Sequence, residues 1–219
     1  MRRSPAPVLQ DRNLANDLVE HEPDATPVLR DLLAHIHLPQ AGQAVVLGAR
    51  LGGLARALAH RHTSWLVTAL DPSVALLSAS LEAIRPAGLS TQLTVIQAAP
   101  ETIPLPPASV HAILGDLPLA HLATRACLDA WASACARVLL PGGTLAIRAA
   151  AEDIDSAQLG PAMAHWPEPY QRLLHPVWRA AFATAEITES LRRAEFREIA
   201  IHPTTEALHG VVRLVVARR

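Results

Sequence analysis

The feature that most restricts the fold is the run from 44 to 56, Ala-Val-Val-Leu-Gly-Ala-Arg-Leu-Gly-Gly-Leu-Ala-Arg. An apolar stretch enters a glycine-bearing turn, and a helical pattern follows. This is the strand–turn–helix opening of a nucleotide-binding α/β domain, in which a helix N-terminus meets a cofactor. Arg50 occupies the centre of the turn, where such loops usually carry glycine.

The chain downstream repeats the same alternation. The sequence predicts strands at 44–47, 65–70, 93–97, 110–114 and 144–148. Helices are expected from the glycine turn to about 61, from the Asp71-Pro72-Ser73 segment to about 84 and from about 122 to 138. Asp71-Pro72-Ser73 suits a helix start, with proline in the first turn. Apolar strands alternating with helices imply a parallel sheet covered on both faces. Residues 197–201 and 211–217 read as two further strands joined by a polar connection, preceded by a helix over 184–194. The expectation is therefore an α/β, Rossmann-like, seven-stranded and mostly parallel sheet that ends in an antiparallel hairpin. Before it, Leu14, Leu18, Val28, Leu29, Leu32, Leu33 and Ile36 have helical spacing, broken between Pro23 and Pro27. Two short helices are expected there, so residues 1–40 form an N-terminal helical segment and 41–219 the main domain.

Composition removes several classes of function. Half of the 219 residues are apolar, enough for a sizeable core. The formal charge is −1 and no basic run occurs, so nucleic acid is not an expected partner. Every basic residue apart from histidine is arginine, which rules out Schiff-base chemistry and a P-loop lysine. Cys127 and Cys135 lie eight apart in one expected helix, about 12 Å of rise and too far for a disulfide. With no run of 18 apolar residues and no apolar leader after Met1, the expectation is a cytoplasmic protein without a membrane span. His35/His37 and His60/His62 have i, i+2 spacing, which divides their side chains between opposite helix faces, so no metal is expected.

Five segments carry a family resemblance. They are Val45-Val46-Leu47-Gly48-Ala49-Arg50-Leu51-Gly52; Thr68-Ala69-Leu70-Asp71-Pro72-Ser73; the loop from Pro100-Glu101 to Val110-His111; Arg137-Val138-Leu139-Leu140-Pro141-Gly142-Gly143-Thr144-Leu145; and Leu191-Arg192-Arg193-Ala194-Glu195-Phe196. In this order and spacing the chain resembles the class I S-adenosylmethionine-dependent methyltransferases over about residues 40–219. The third segment looks like the family's AExLPFPDxSFD, the fourth like RVLKPGGxL and the fifth like LxxAGF.

The resemblance implies S-adenosylmethionine as cofactor and methyl transfer to a small molecule as activity. It assigns Gly48, Ala49, Arg50, Gly52, Asp71, Pro72, Ala99, Pro100, Glu101 and Gly115 to the cofactor. Gly48 and Gly52 let backbone approach a ligand. Asp71 can accept both ribose hydroxyls or cap the next helix. Asp116 and His121 fall at the substrate mouth as candidate proton acceptors, or serve as turn, cap and packing residues. Trp166, Tyr170, His175 and Trp178 lie in an insertion, 151–183, that in the family often covers the substrate. Clustered aromatics suit a planar ligand, a small core or a dimer surface.

Val46, Arg50 and Ala99 stand where the family usually has acid, glycine and acid. His111 replaces an acid opening strand four, and Glu195 replaces a glycine at a helix end, where a left-handed residue costs about 1 kcal/mol. The first three departures all fall on the cofactor side. They raise the alternative of a non-catalytic methyltransferase-like protein acting as a partner subunit.

Overall fold

The computed structural model describes residues 9–48, 52–152, 160–161, 164, 167–168, 170–171, 181–204 and 211–219. The elements run α1 (Arg12–Glu20), α2 (Thr26–Leu33), β1 (Gly42–Leu47), α3 (Gly53–Arg61), β2 (Trp65–Asp71), α4 (Val74–Ile84), β3 (Leu93–Gln97) and β4 (Val110–Asp116). A 3-10 turn (Pro118–His121), α5 (Arg125–Val138), β5 (Leu139–Ala150), α6 (Thr184–Arg193), β6 (Arg197–Pro203) and β7 (Val212–Arg218) complete the series. The seven strands form one sheet in the order β3-β2-β1-β4-β5-β7-β6. The first five are parallel, and β7 runs antiparallel to both β5 and β6. The expected sheet and its closing hairpin are both present.

Strand alternation divides the core in two. Val45, Leu47, Ile113, Leu145 and Ile147 face α5 and α6. Ala44, Val46, Ala112, Leu114 and Ala146 face α2 and α3. Because side chains alternate along a strand, each strand serves both layers.

Three boundaries differ from expectation for physical reasons. The strands end later at the cofactor edge, as β2 includes Asp71 and β4 includes Asp116. The long helix starts at Arg125 because Pro118 opens a separate 3-10 turn and Thr124 caps the next helix, accepting from Cys127 N at 3.2 Å. β5 begins at Leu139, and its Pro141-Gly142-Gly143 turn is a bulge within the strand. Pairing with β4 shifts there, and Gly142 adopts φ +78. Gly143 is required by close approach, since a Cβ would lie 2.9 Å from Leu140 O.

Candidate cofactor site

The carboxyl ends of β1, β2 and β4 meet at one edge of the sheet. Gly48 follows β1 with φ +67, and its N–H donates to Leu70 O at 3.1 Å. That left-handed backbone is cheap only for glycine. Gly52, at φ +79, begins α3. Beside Gly48 lies a narrow cleft. Its walls are Leu47, Gly48, Leu70, Pro72, Ala98, Ala99, Pro100, Pro118, His121 and Trp131. Five of the expected site residues, Gly48, Pro72, Ala99, Pro100 and His121, therefore share one cavity.

The loop after β3 is held in place by α5. Arg137 donates to Leu105 O at 2.8 Å and to Ile103 O at 2.6 Å. Backbone bonds from Ala108 N to Arg137 O and from Ser109 N to Val138 O tie down the end of the loop. The arginine of the Arg137-Val138-Leu139 segment is thus the strap that positions Ala98 to Pro100 against the cleft. Ala98 N also donates to Asp71 O at 3.2 Å, joining the loop to β2.

Asp71 sits at the end of β2 between two cleft residues and is 1% exposed. Its Oδ1 accepts from Ser73 N at 2.7 Å, which fixes its rotamer. The helix cap is Ser73, whose Oγ accepts from Leu76 N at 3.1 Å. Asp71 itself shapes the turn rather than capping α4. Ser73 Oγ also donates to Leu9 O, so the N-terminal segment lies over this end of the strand.

Asp116 does not cap a helix. Its Oδ1 lies 3.6 Å from Nη1 of Arg148, a fully buried β5 arginine. Leu117 then takes a left-handed conformation, φ +53, although it is neither glycine nor asparagine. This turn swings Pro118 to His121 back toward β1, so that a Cβ on Gly48 would lie 3.4 Å from Asp116 O. His121 ends the 3-10 turn and faces the same cavity as Gly48 and Pro100.

The remaining expected residues have other surroundings. Gly115 is buried, and a Cβ there would meet Pro118 Cγ at 2.8 Å, so it makes room for the turn. Glu101 is half-buried and stands outside the cleft lining. Tyr170 is 3% exposed in a small cluster with Ala15, Leu18, Leu76 and Ala79, and its hydroxyl donates to Leu18 O at 3.1 Å. Of the alternatives for the aromatic group, Tyr170 occupies a small core between α1 and α4. Ala49, Arg50, Trp166, His175 and Trp178 lie outside the described residues.

His111 has a structural role, with Nδ1 accepting from Gln43 N at 3.2 Å and its ring edge-on to Trp65. Val46 is fully buried in the α2–α3 core. Two site residues had no place in the sequence reading. Arg148 was detectable as one cation in an otherwise apolar strand, Thr144-Leu145-Ala146-Ile147-Arg148-Ala149. Trp131 had no local signal, because its place in the cleft depends on how α5 packs. Among the described residues no three His, Cys, Asp or Glu gather as a metal cluster, and no helix is long and apolar enough to cross a membrane.

The family of methyltransferase domains matches residues 45–143. The chain is similar to an S-adenosylmethionine-dependent methyltransferase of Aquifex aeolicus, with TM-score 0.70 and 17% identity over 96% of this chain and 99% of that one. It is also similar to a methyltransferase of Methanosarcina mazei, with TM-score 0.64 and 15% identity over 85% and 96%. Human N-acetylserotonin methyltransferase, solved with S-adenosylmethionine, gives TM-score 0.65 and 14% identity over 95% of this chain and 56% of that one. At these identities the likeness is one of fold. No curated protein matches in sequence.

Proposed function

We propose that this chain, whose residues 45–143 match the family of methyltransferase domains and whose fold is similar to that of an S-adenosylmethionine-dependent methyltransferase, binds S-adenosylmethionine at the Gly48 cleft and transfers the methyl group to a small-molecule acceptor. The observation that carries this reading is the cleft itself. Left-handed Gly48, Pro72, Ala99 and Pro100 border one apolar slot, with the buried Asp71 carboxylate at the strand end beside it. These residues fit a nucleoside. A flat slot between leucine, alanine and proline suits a base, and a rotamer-fixed carboxylate suits ribose hydroxyls. When bound, the cofactor supplies a methyl group made electrophilic by its sulfonium.

The chain's own residues orient and desolvate. Leu47, Leu70, Ala98 and Pro118 exclude water from the slot. His121, half-buried at its rim, is the residue placed to take a proton from an acceptor nucleophile. Asp116, paired with Arg148, fixes the turn that carries His121. We assign residues 1–40 and 151–183 as the roof. The Tyr170 cluster, which joins the insertion to α1 and α4, supports that assignment.

A second reading, a methyltransferase-like binding subunit without catalysis, is favoured by Val46. The position where the family usually has an acid is here an apolar core residue. Calorimetric titration with S-adenosylmethionine and S-adenosylhomocysteine separates the two. Binding is expected, and Asp71→Asn, which keeps the Oδ1 acceptor for Ser73, should weaken it about tenfold or more through loss of charged hydrogen bonds. No binding at millimolar ligand refutes the cofactor reading and selects the second. A labelled-methyl transfer screen over small nucleophiles tests the acceptor class, and label found only in macromolecules refutes it.

A further inference from the structure

A groove of about 590 Å³ lies between the α1–α2 connection with α2 on one side and α3 on the other. It shares no lining residue with the Gly48 cleft. Its volume falls in the range of small-ligand sites. Pro23, Leu29 and Ala57 give it apolar surface. Arg30 from α2 and Arg56, His60 and Arg61 from α3 line the same space.

The two acids of the groove already have partners. Glu22 pairs with Arg56, and both side chains are largely buried. The Glu22 carboxylate rests so closely on Gly53 that a Cβ there would overlap it, which sets the pair at the start of α3. Asp24 accepts from Thr26 N at 2.9 Å. The Thr26 hydrogen bonds, with a smaller pull from Arg30, hold its carboxyl below the usual range. Arg61 is different. It is exposed in the last turn of α3, and it forms no ion pair with a described residue. Its charge is felt at His62, whose affinity for protons it helps to lower. Three arginines thus face two engaged carboxylates, and the excess positive charge sits at the Arg61 end beside His60. A guanidinium fork matches the paired oxygens of a carboxylate or phosphate.

We propose that this groove is a second ligand site, taking a small molecule that carries one oxyanion on a compact apolar body. Arg61, with His60 and Arg30, meets the oxyanion, and Leu29 and Ala57 meet the body. The inference does not depend on the cofactor reading.

The test is calorimetric titration of the full chain at millimolar phenyl phosphate, benzoate and, as neutral control, phenol. At least one anion should bind about tenfold or more tightly than phenol. Preference for phenyl phosphate assigns a phosphate monoester, and preference for benzoate a carboxylate. Arg61→Ala and Arg30→Gln should each weaken that binding several-fold. Arg85→Ala, at the exposed end of α4 and outside the groove, should leave it unchanged. Saturating S-adenosylhomocysteine should leave it unchanged too. The proposal is overturned if neither anion is distinguished from phenol, or if the Arg61 and Arg30 variants bind as wild type does. Displacement of the anion by S-adenosylhomocysteine also overturns it, because the two ligands would then share one site. Should one arginine variant fail to fold, the other decides.

Discussion

Replacing Glu195 with glycine should stabilise the protein by about 1 kcal/mol. Helix α6 ends in two bonds, Phe196 N to Leu191 O and Glu195 N to Arg192 O, both at 3.0 Å. Their 6→1 and 5→2 pattern is a Schellman motif, which places Glu195 at the position that turns left-handed. Its φ is +64, and the residue is exposed. Leu191 and Phe196 are buried, 0% and 4% exposed, so the motif is locked by packing and the backbone cannot relax. A β-carbon in this conformation costs about 1–2 kcal/mol, and the extra unfolded-state freedom of glycine returns about 0.5–1 of it. For a chain of 219 residues a net gain of about 1 kcal/mol raises the melting temperature by about 2–4 °C. Differential scanning calorimetry of wild type, Glu195→Gly and Glu195→Ala measures it. Alanine removes the carboxylate and keeps the β-carbon, so it should melt near wild type. If alanine raises the melting temperature as much as glycine, the charge and not the backbone is the source, and the strain argument is wrong.

Further outcomes concern the site and the pH response. Gly48→Ala puts a β-carbon on a φ of +67, where its nearest neighbour is 3.4 Å away; it should fold with a loss of about 1–2 kcal/mol by thermal melt and bind S-adenosylhomocysteine more weakly. Arg137→Met releases Leu105 O and Ile103 O and should loosen the loop that carries Ala99 and Pro100, read as faster amide exchange over 98–108 and weaker binding. Burial lowers the affinity of His202 for protons, reinforced by His35, whose ring stacks on it at 3.9 Å; burial and then Arg61 do the same for His62. The folded state thus resists a proton that the unfolded chain accepts. Stability is complete above the ordinary value of 6.5 and falls as pH drops below it. Melts at pH 8 and pH 5 should show that fall, and His202→Gln should reduce it.

The sheet and the cofactor were not equally legible in the sequence, and the reason is physical. Strand and helix periods repeat along the chain, so a buried stretch such as Leu93–Gln97 announces itself locally. The left-handed turn at Glu195 was also readable, because the Leu191-Arg192-Arg193-Ala194-Glu195-Phe196 segment sets its motif within six residues. Site chemistry depends on contacts between residues far apart in sequence. Asp116 reads as a turn residue until Arg148, thirty-two positions on, is seen 3.6 Å away. Trp131 reads as one apolar position of an amphipathic helix until α5 packs it beside Gly48 and Pro100. Departures from a family pattern are local as well, and they are what made cofactor binding look weakened. The three-dimensional neighbours change their meaning. Val46 packs into the α2–α3 core, which an acid at that position could not do unpaired.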